Sequence, residues 1–224
     1  MLDIADYVTL VFDCDGVVLD SNKVKTEAFR AAALPYGDAA ASALVAHHVA
    51  HGGVSRYAKF THFLGHIVPE HSHGQNGPDN NALLAAYAKS VRTGLLACDI
   101  APGLATLRAQ TPHARWLIVS GGDQAELRGM FVERGIADLF NGGIFGSPDT
   151  KDTILAREIA AGTIAQPALF LGDSRYDHQA ATQAGLEFLF VSNWSEVPDW
   201  QSFVSCEKIA HVERIGTLVS GASE

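Results

Sequence analysis

VFDCDGVVLDS, residues 11–21, closes the apolar run YVTLVF (7–12) with two carboxylates, Asp13 and Asp15, and a glycine, Gly16, directly after them. A short unbroken apolar run reads as a strand buried on both faces. Alternation along an extended chain would put the two acids on one side, although the turn at Gly16 leaves their directions open. Alone, acids at this spacing read equally well as an Asp-rich turn or a helix cap.

Working outward, two more apolar runs end on small or acidic residues: RWLIV (115–119) before Ser120, and PALFLG (167–172) before Asp173. A fourth, LEFLFV, covers 186–191. Between them lie GDQAELRGMFVERG from Gly122, TKDTILAREIAAG from Thr150 and RYDHQAATQAG from Arg175, all with helical spacing and a closing glycine. Strand alternating with helix predicts βαβ units and an α/β fold around a parallel sheet covered on both faces. Polar residues just beyond the carboxyl ends of such strands gather in one crevice, which places Asp13, Ser120 and Asp173 together.

Residues from about 22 to 89 break the rhythm. NKVKTEAFRAAA, AAASALVAHHVA and SRYAKFTHFLGHI read as helices without a convincing strand, and PEHSHGQNGPDNN (69–81) reads as an exposed loop. This predicts a helical insertion over 21–89 in a core formed by 1–20 and 90–224.

Composition narrows the function classes. With 47% hydrophobic and 18% charged residues the chain is that of an ordinary globular protein. The formal charge of −9 opposes non-specific nucleic-acid binding. Cys14, Cys98 and Cys206 form neither a disulfide framework nor a zinc ribbon, which suits a reducing cytoplasm. No apolar run reaches the roughly 18 residues a membrane span needs, and the acids near the N-terminus do not suit a signal peptide, so a cytoplasmic protein without membrane contact is expected.

Support for chemistry at Asp13 and Asp15 comes from three other places. A hydroxyl and main-chain N–H groups at Ser120 and Gly121 suit phosphate oxygens, helped by the following helix start. Lys151 supplies a compact positive charge. GDSRYD (172–177) adds Asp173 and Asp177, and Asp173 with Asp13 offers hard oxygens of the kind Mg²⁺ takes.

These four motifs, DxDGxxxDS, Ser-Gly, a downstream Lys and GDSxxD in that order, resemble the signature of the haloacid dehalogenase superfamily. The resemblance covers about residues 8–191 and points to members with a small helical cap, similar to the β-phosphoglucomutase and phosphoglycolate phosphatase-like group. It implies a doubly wound, Rossmann-like core, with Asp13 as a nucleophile forming an aspartyl-phosphate. Asp15 is implied as general acid and base. Asp13, Asp173 and the Asp15 carbonyl would hold Mg²⁺; Ser120, Gly121 and Lys151 would hold the phosphoryl oxygens; Asp177 would hold a metal-bound water or Lys151. The acid at position 15 disfavours dehalogenase and phosphonate-cleaving relatives, and the cap disfavours macromolecular substrates.

The expected function is hydrolysis of a phosphomonoester of a small metabolite, a sugar phosphate being one candidate, by a monomer or homodimer. The alternatives are a phosphosugar mutase and a binding protein that kept the fold without the chemistry. In the cap sequence GGVSRYAKF (52–60), Arg56 is a candidate substrate contact, weighed against a solvated arginine. Seven of the ten histidines fall between His47 and His73; they read as solvated or structural ahead of a substrate contact or a zinc site. Phe60 and Phe63 read as cap core. Cys14 is implied to act mainly through its main-chain N–H.

Overall fold

The apolar runs form strands because every residue of β1 (Thr9–Phe12) and β4 (Ala168–Gly172), and most of β2 (Arg115–Asp123), is buried. A computed structural model describes residues 3–219. β3 (Gly143–Ser147), β5 (Glu187–Val191) and β6 (Ala210–Val212) complete a parallel sheet in the order β3-β2-β1-β4-β5-β6. That order reverses direction at β1, the place where α/β sheets open a crevice at the strands' carboxyl ends. Phe12 pairs with Ile118 on one side and Leu171 on the other, so the residues after all three emerge at one level.

Alternation sorts the strand side chains between two layers. Leu10, Phe12, Trp116 and Ile118 pack on one face, with Leu127 and Phe131 of the helix at Gln124–Glu133. Val11, Leu117, Val119 and Phe170 pack on the other, against Ile154, Leu155, Ala180 and Ala181. Full burial of each such Leu or Phe contributes about 1.5–3 kcal/mol, which is why short strands suffice here.

Helices in chain order are α1 (Asn22–Ala33), α2 (Asp38–Ala50), α3 (Arg56–His62), α4 (Val68–His71) and α5 (Asn80–Ala97), then α6 (Leu104–Gln110), α7 (Gln124–Glu133), α8 (Lys151–Ala160), α9 (Arg175–Gln183) and α10 (Trp200–Glu207). The first five follow β1 and form the helical cap. In α1, Lys25, Ala28, Phe29, Ala32 and Ala33 are buried; in α5, Leu83, Tyr87, Val91 and Leu95. Both sets follow helical spacing and face one another, with the Phe29 and Tyr87 rings 4.4 Å apart. Phe60 and Phe63 are fully buried in the same cap core.

Two expectations shift. Residues 89 and 90, taken as the return to the core, lie inside α5, which continues to Ala97. The expected loop at 69–81 is shorter, because Pro69–His71 end the helical segment carried on from α3 through a π-helical turn at Phe63–Ile67, and Asn80 already begins α5. No described helix is long and apolar enough to cross a membrane.

Candidate active site

Asp13 is the first residue beyond β1, held by its N–H to the Leu171 carbonyl at 2.9 Å. Its carboxylate is buried, with Oδ1 3.0 Å from Lys151 Nζ and accepting the Cys14 N–H at 2.8 Å. Burial raises the Asp13 carboxyl to about 7, against the pull of Lys151. Lys151 begins α8, whose cap is Thr150, and its ammonium also meets Asp177 Oδ1.

Asp177 is fixed by local helix chemistry. Ser174 caps α9, accepting the Asp177 N–H, while Asp177 Oδ2 accepts from the Ser174 N–H at 3.1 Å and its hydroxyl at 2.6 Å. Both Asp177 oxygens are therefore engaged, one by Lys151 and one by Ser174. Of the two roles expected for Asp177, the structure shows the contact with Lys151.

Asp173 follows β4 directly. Its Oδ2 accepts from Asn22 Nδ2 at 2.7 Å, and its carbonyl accepts from the Ser195 hydroxyl at 2.6 Å. Burial first, then the nearby Asp13 and Asp177, push its carboxyl well above the usual range. Gly16 is required beside it: its φ is +75°, and a Cβ there would lie 2.1 Å from Asp173 Oδ2.

Asp15 belongs to a different electrostatic setting. Its Oδ1 accepts from the Ser21 hydroxyl at 2.5 Å and its Oδ2 pairs with Lys25 of α1. Burial acts to raise the carboxyl, but Lys25 and Ser21 outweigh it and hold Asp15 below its ordinary value. Two acids two residues apart are thus shifted in opposite directions: burial prevails at Asp13, whereas Lys25 and Ser21 prevail over burial at Asp15.

A small cavity of about 50 Å³ lies between cap and core. Asp13, Asp15, Gly121 and Asp173 line it from the core, and Lys25, Arg56, Lys59 and Tyr87 from the cap. Ser120, Lys151 and Asp177 sit behind that lining. Ser120 is buried and its hydroxyl accepts the Gly122 N–H at 3.0 Å; Lys151 reaches the cavity through Asp13. Gly121 presses on the cap loop, where a Cβ would meet the Gly53 carbonyl oxygen at 2.1 Å.

Arg56 is buried at the cavity's edge and its terminal nitrogens donate to Glu126 of α7, at 3.0 and 2.6 Å. Beside it, the Tyr57 hydroxyl donates to Asp123 at 2.8 Å. The candidate substrate arginine is thus also a bridge from cap to core. Of the histidine-rich segment, His47 stacks on His51 and His62 at 4.1 and 4.0 Å, whereas His48 turns inward to the cavity. Sequence reasoning missed Asn22, Lys25, His48 and Lys59. For Asn22 and Lys25 a signal existed: both lie three apart in the first turn of a helix that starts directly after the Asp15 motif.

The donor set fits a divalent cation. Ligand atoms of Asp13, Asp173 and Asp177 lie within 4.8 Å of one another, all three residues are buried, and Lys151 is the cation paired with Asp13 and Asp177. Crowded carboxylate oxygens of this kind suit Mg²⁺. Because Asp177 is engaged on both oxygens, Asp13 and Asp173 are the carboxylates free to turn toward an ion.

The sequence profile of haloacid dehalogenase-like hydrolases matches residues 7–185. No curated protein matches the chain in sequence. A proposed phosphoglycolate phosphatase from Lactobacillus plantarum is 23% identical, with a TM-score of 0.68 over 93% of this chain and 95% of its own. One from Haemophilus somnus is 15% identical, with a TM-score of 0.73 over 98% and 100%. The β-phosphoglucomutase of Clostridium difficile is 16% identical, with a TM-score of 0.70 over 94% and 92%. At such identities the likeness bears on fold alone. Motifs in order, the strand arrangement and a profile match spanning most of its length place this chain in the haloacid dehalogenase-like hydrolase family.

Proposed function

We propose that the chain is a Mg²⁺-dependent phosphatase that hydrolyses a phosphomonoester of a small metabolite through phosphorylation of Asp13. The observation that carries this reading is the buried Asp13 carboxylate at the sheet's switch point, against Lys151 and beside Asp173, facing a cavity closed by the cap. A bound Mg²⁺, held by Asp13, Asp173 and the Asp15 carbonyl, would neutralise charge on the phosphoryl oxygens. Lys151 holds Asp13 in place and favours its ionised form. Ser120 and the main-chain N–H groups at Gly121 complete the phosphate cradle. The cap excludes bulk water and macromolecules from the cavity.

Asp15 moves the protons. Paired with Lys25 it is ionised, the form that accepts a proton from the water attacking the phosphorylated Asp13; to protonate the leaving oxygen it must first loosen from Lys25. Lys25→Met removes the cation that lowers the Asp15 pKa, so the acidic limb of the pH–rate profile moves to higher pH by about one unit or more, and kcat falls about tenfold. An unmoved acidic limb removes Lys25 from this role.

Arg56 meets a leaving group only by exchanging Glu126 for it. Arg56→Ala loses both the bridge and that contact and is expected to lower kcat/KM about tenfold; an unchanged kcat/KM excludes both.

Release of inorganic phosphate from a panel of phosphorylated metabolites, with Mg²⁺ or with EDTA, tests the reading. Turnover with Mg²⁺ that falls on the order of 10³-fold in EDTA is expected. Equal rates with EDTA contradict metal dependence, and conversion of a sugar phosphate into an isomer without phosphate release contradicts the phosphatase.

A further inference from the structure

The start of α1 does not spend its polar side chains on the helix. Serine and asparagine at such a place ordinarily accept the helix's own free N–H groups. Ser21, the residue before α1, makes no such cap, and its hydroxyl goes to Asp15 instead. Asn22 turns its amide to the core, where Nδ2 donates to Asp173 Oδ2 at 2.7 Å and to the Trp194 carbonyl at 2.8 Å. An amide nitrogen carries two hydrogens, so both are engaged, and because both partners only accept, the nitrogen end is the one that faces them.

Asn22 therefore joins the candidate cation site to the segment after β5. Ser195 of that segment donates to the Asp173 carbonyl at 2.6 Å, and Thr26, one turn along α1, donates to Glu196 at 2.9 Å. Gly16 leaves the amide room, since a Cβ there would lie 2.5 Å from Asn22 Nδ2. Among the described residues no other side chain donates to the Asp173 carboxylate. One of its oxygens is thus held from α1, and Oδ1 is left for a ligand. A carboxylate fixed by one oxygen presents the other in a set direction, so less freedom is lost when an ion binds.

We propose that Asn22 is a positioning residue for the divalent cation: by holding Asp173 Oδ2 it leaves Oδ1 aimed at the ion and raises the affinity of the site. Asn22 is the first residue of the cap's first helix, so the cap supplies part of a cation site whose carboxylates all come from the core. The inference rests on the phosphatase reading for the place of the cation, and not for the substrate.

The test reads cation binding without turnover, in the full chain. Mn²⁺ stands in for Mg²⁺ because both take hard oxygen ligands, and electron paramagnetic resonance follows the free ion through a titration. Asn22→Ala weakens Mn²⁺ binding about tenfold or more. Asn22→Leu, which keeps the bulk of the side chain and removes its donor, does the same; melting temperatures identify which of the two variants keeps the parent's fold and is to be read. Thr26→Val breaks the neighbouring contact of α1 with the segment after β5 without touching Asp173, and binds Mn²⁺ as the parent does. Unchanged affinity in the Asn22 variants overturns the proposal. So does an equal loss in Thr26→Val, which would trace the effect to the seating of α1 and not to Asp173. A parent that binds no Mn²⁺ overturns the proposal too, and the metal dependence of the phosphatase reading with it. The expected pattern in a protein that releases phosphate from no compound of the panel overturns the phosphatase reading and leaves the role of Asn22 in place.

Discussion

Asp13→Asn lowers the rate of phosphate release by about 10⁴-fold or more, because the amide cannot form the phosphorylated intermediate and the remaining groups can only bind and polarise the substrate. The fold should be retained. Asn is nearly isosteric, and it removes one negative charge from a crowd in which Asp173 is already held well above its ordinary pKa by burial and its acidic neighbours. Lys151 keeps Asp177 as a counter-ion in the variant. Steady-state kcat on the best substrate, with melting temperature measured alongside, checks both halves. A variant within tenfold of the parent would move the nucleophile elsewhere.

Lys151→Met should damage both activity and stability. The ammonium sits between two buried carboxylates, Asp13 and Asp177, and removing it leaves both without their cation. Breaking a buried pair in this way costs about 3–5 kcal/mol. For a chain of this size that corresponds to a melting temperature roughly 10 °C lower. Activity falls about 10³-fold, since Asp13 loses the contact that places its Oδ1 and keeps it ionised. Stability and catalysis separate in the double variant Lys151→Met/Asp177→Asn: taking away one stranded charge recovers part of the lost stability, while turnover stays low. Recovery of turnover along with stability would show that Lys151 acts through folding alone.

Most of the core was legible because its strands are short apolar runs buried on both faces. β1, β2, β4 and β5 could be read from YVTLVF, RWLIV, PALFLG and LEFLFV, and their parallel arrangement followed from the helices between them; their order in the sheet comes from the structure. β3, with glycines at 143 and 146, and β6, of which Ala210 and His211 are exposed, lack that signal; their neighbours in the sheet make them strands. α5 was missed because its buried positions, four residues apart, lie among alanines and polar residues that give little contrast.

The core side of the site was legible for another reason. Asp13 and Asp173 directly follow strands and Lys151 begins a helix, whereas Ser120, expected just beyond its strand, lies inside β2, which continues to Asp123; topology still brings the four together. Asp177 was read from the GDSRYD motif, and the structure adds the Ser174–Asp177 capping box that fixes it. The cap side was largely hidden. His48 and Lys59 reach the cavity only when the cap docks on the core, and local sequence does not encode that docking. Arg56 was visible as a candidate, but its partner Glu126 lies 70 residues away on α7.

The measurement that bears most directly on phosphorylation of Asp13 is a rapid acid quench during turnover of the best substrate, followed by mass spectrometry of the peptide containing residues 11–21. The expected result is a phosphoryl group on Asp13, formed before steady state and absent in Asp13→Asn. Phosphate released at the full rate with no adduct on that peptide, and with Asp13→Asn still active, would contradict the mechanism.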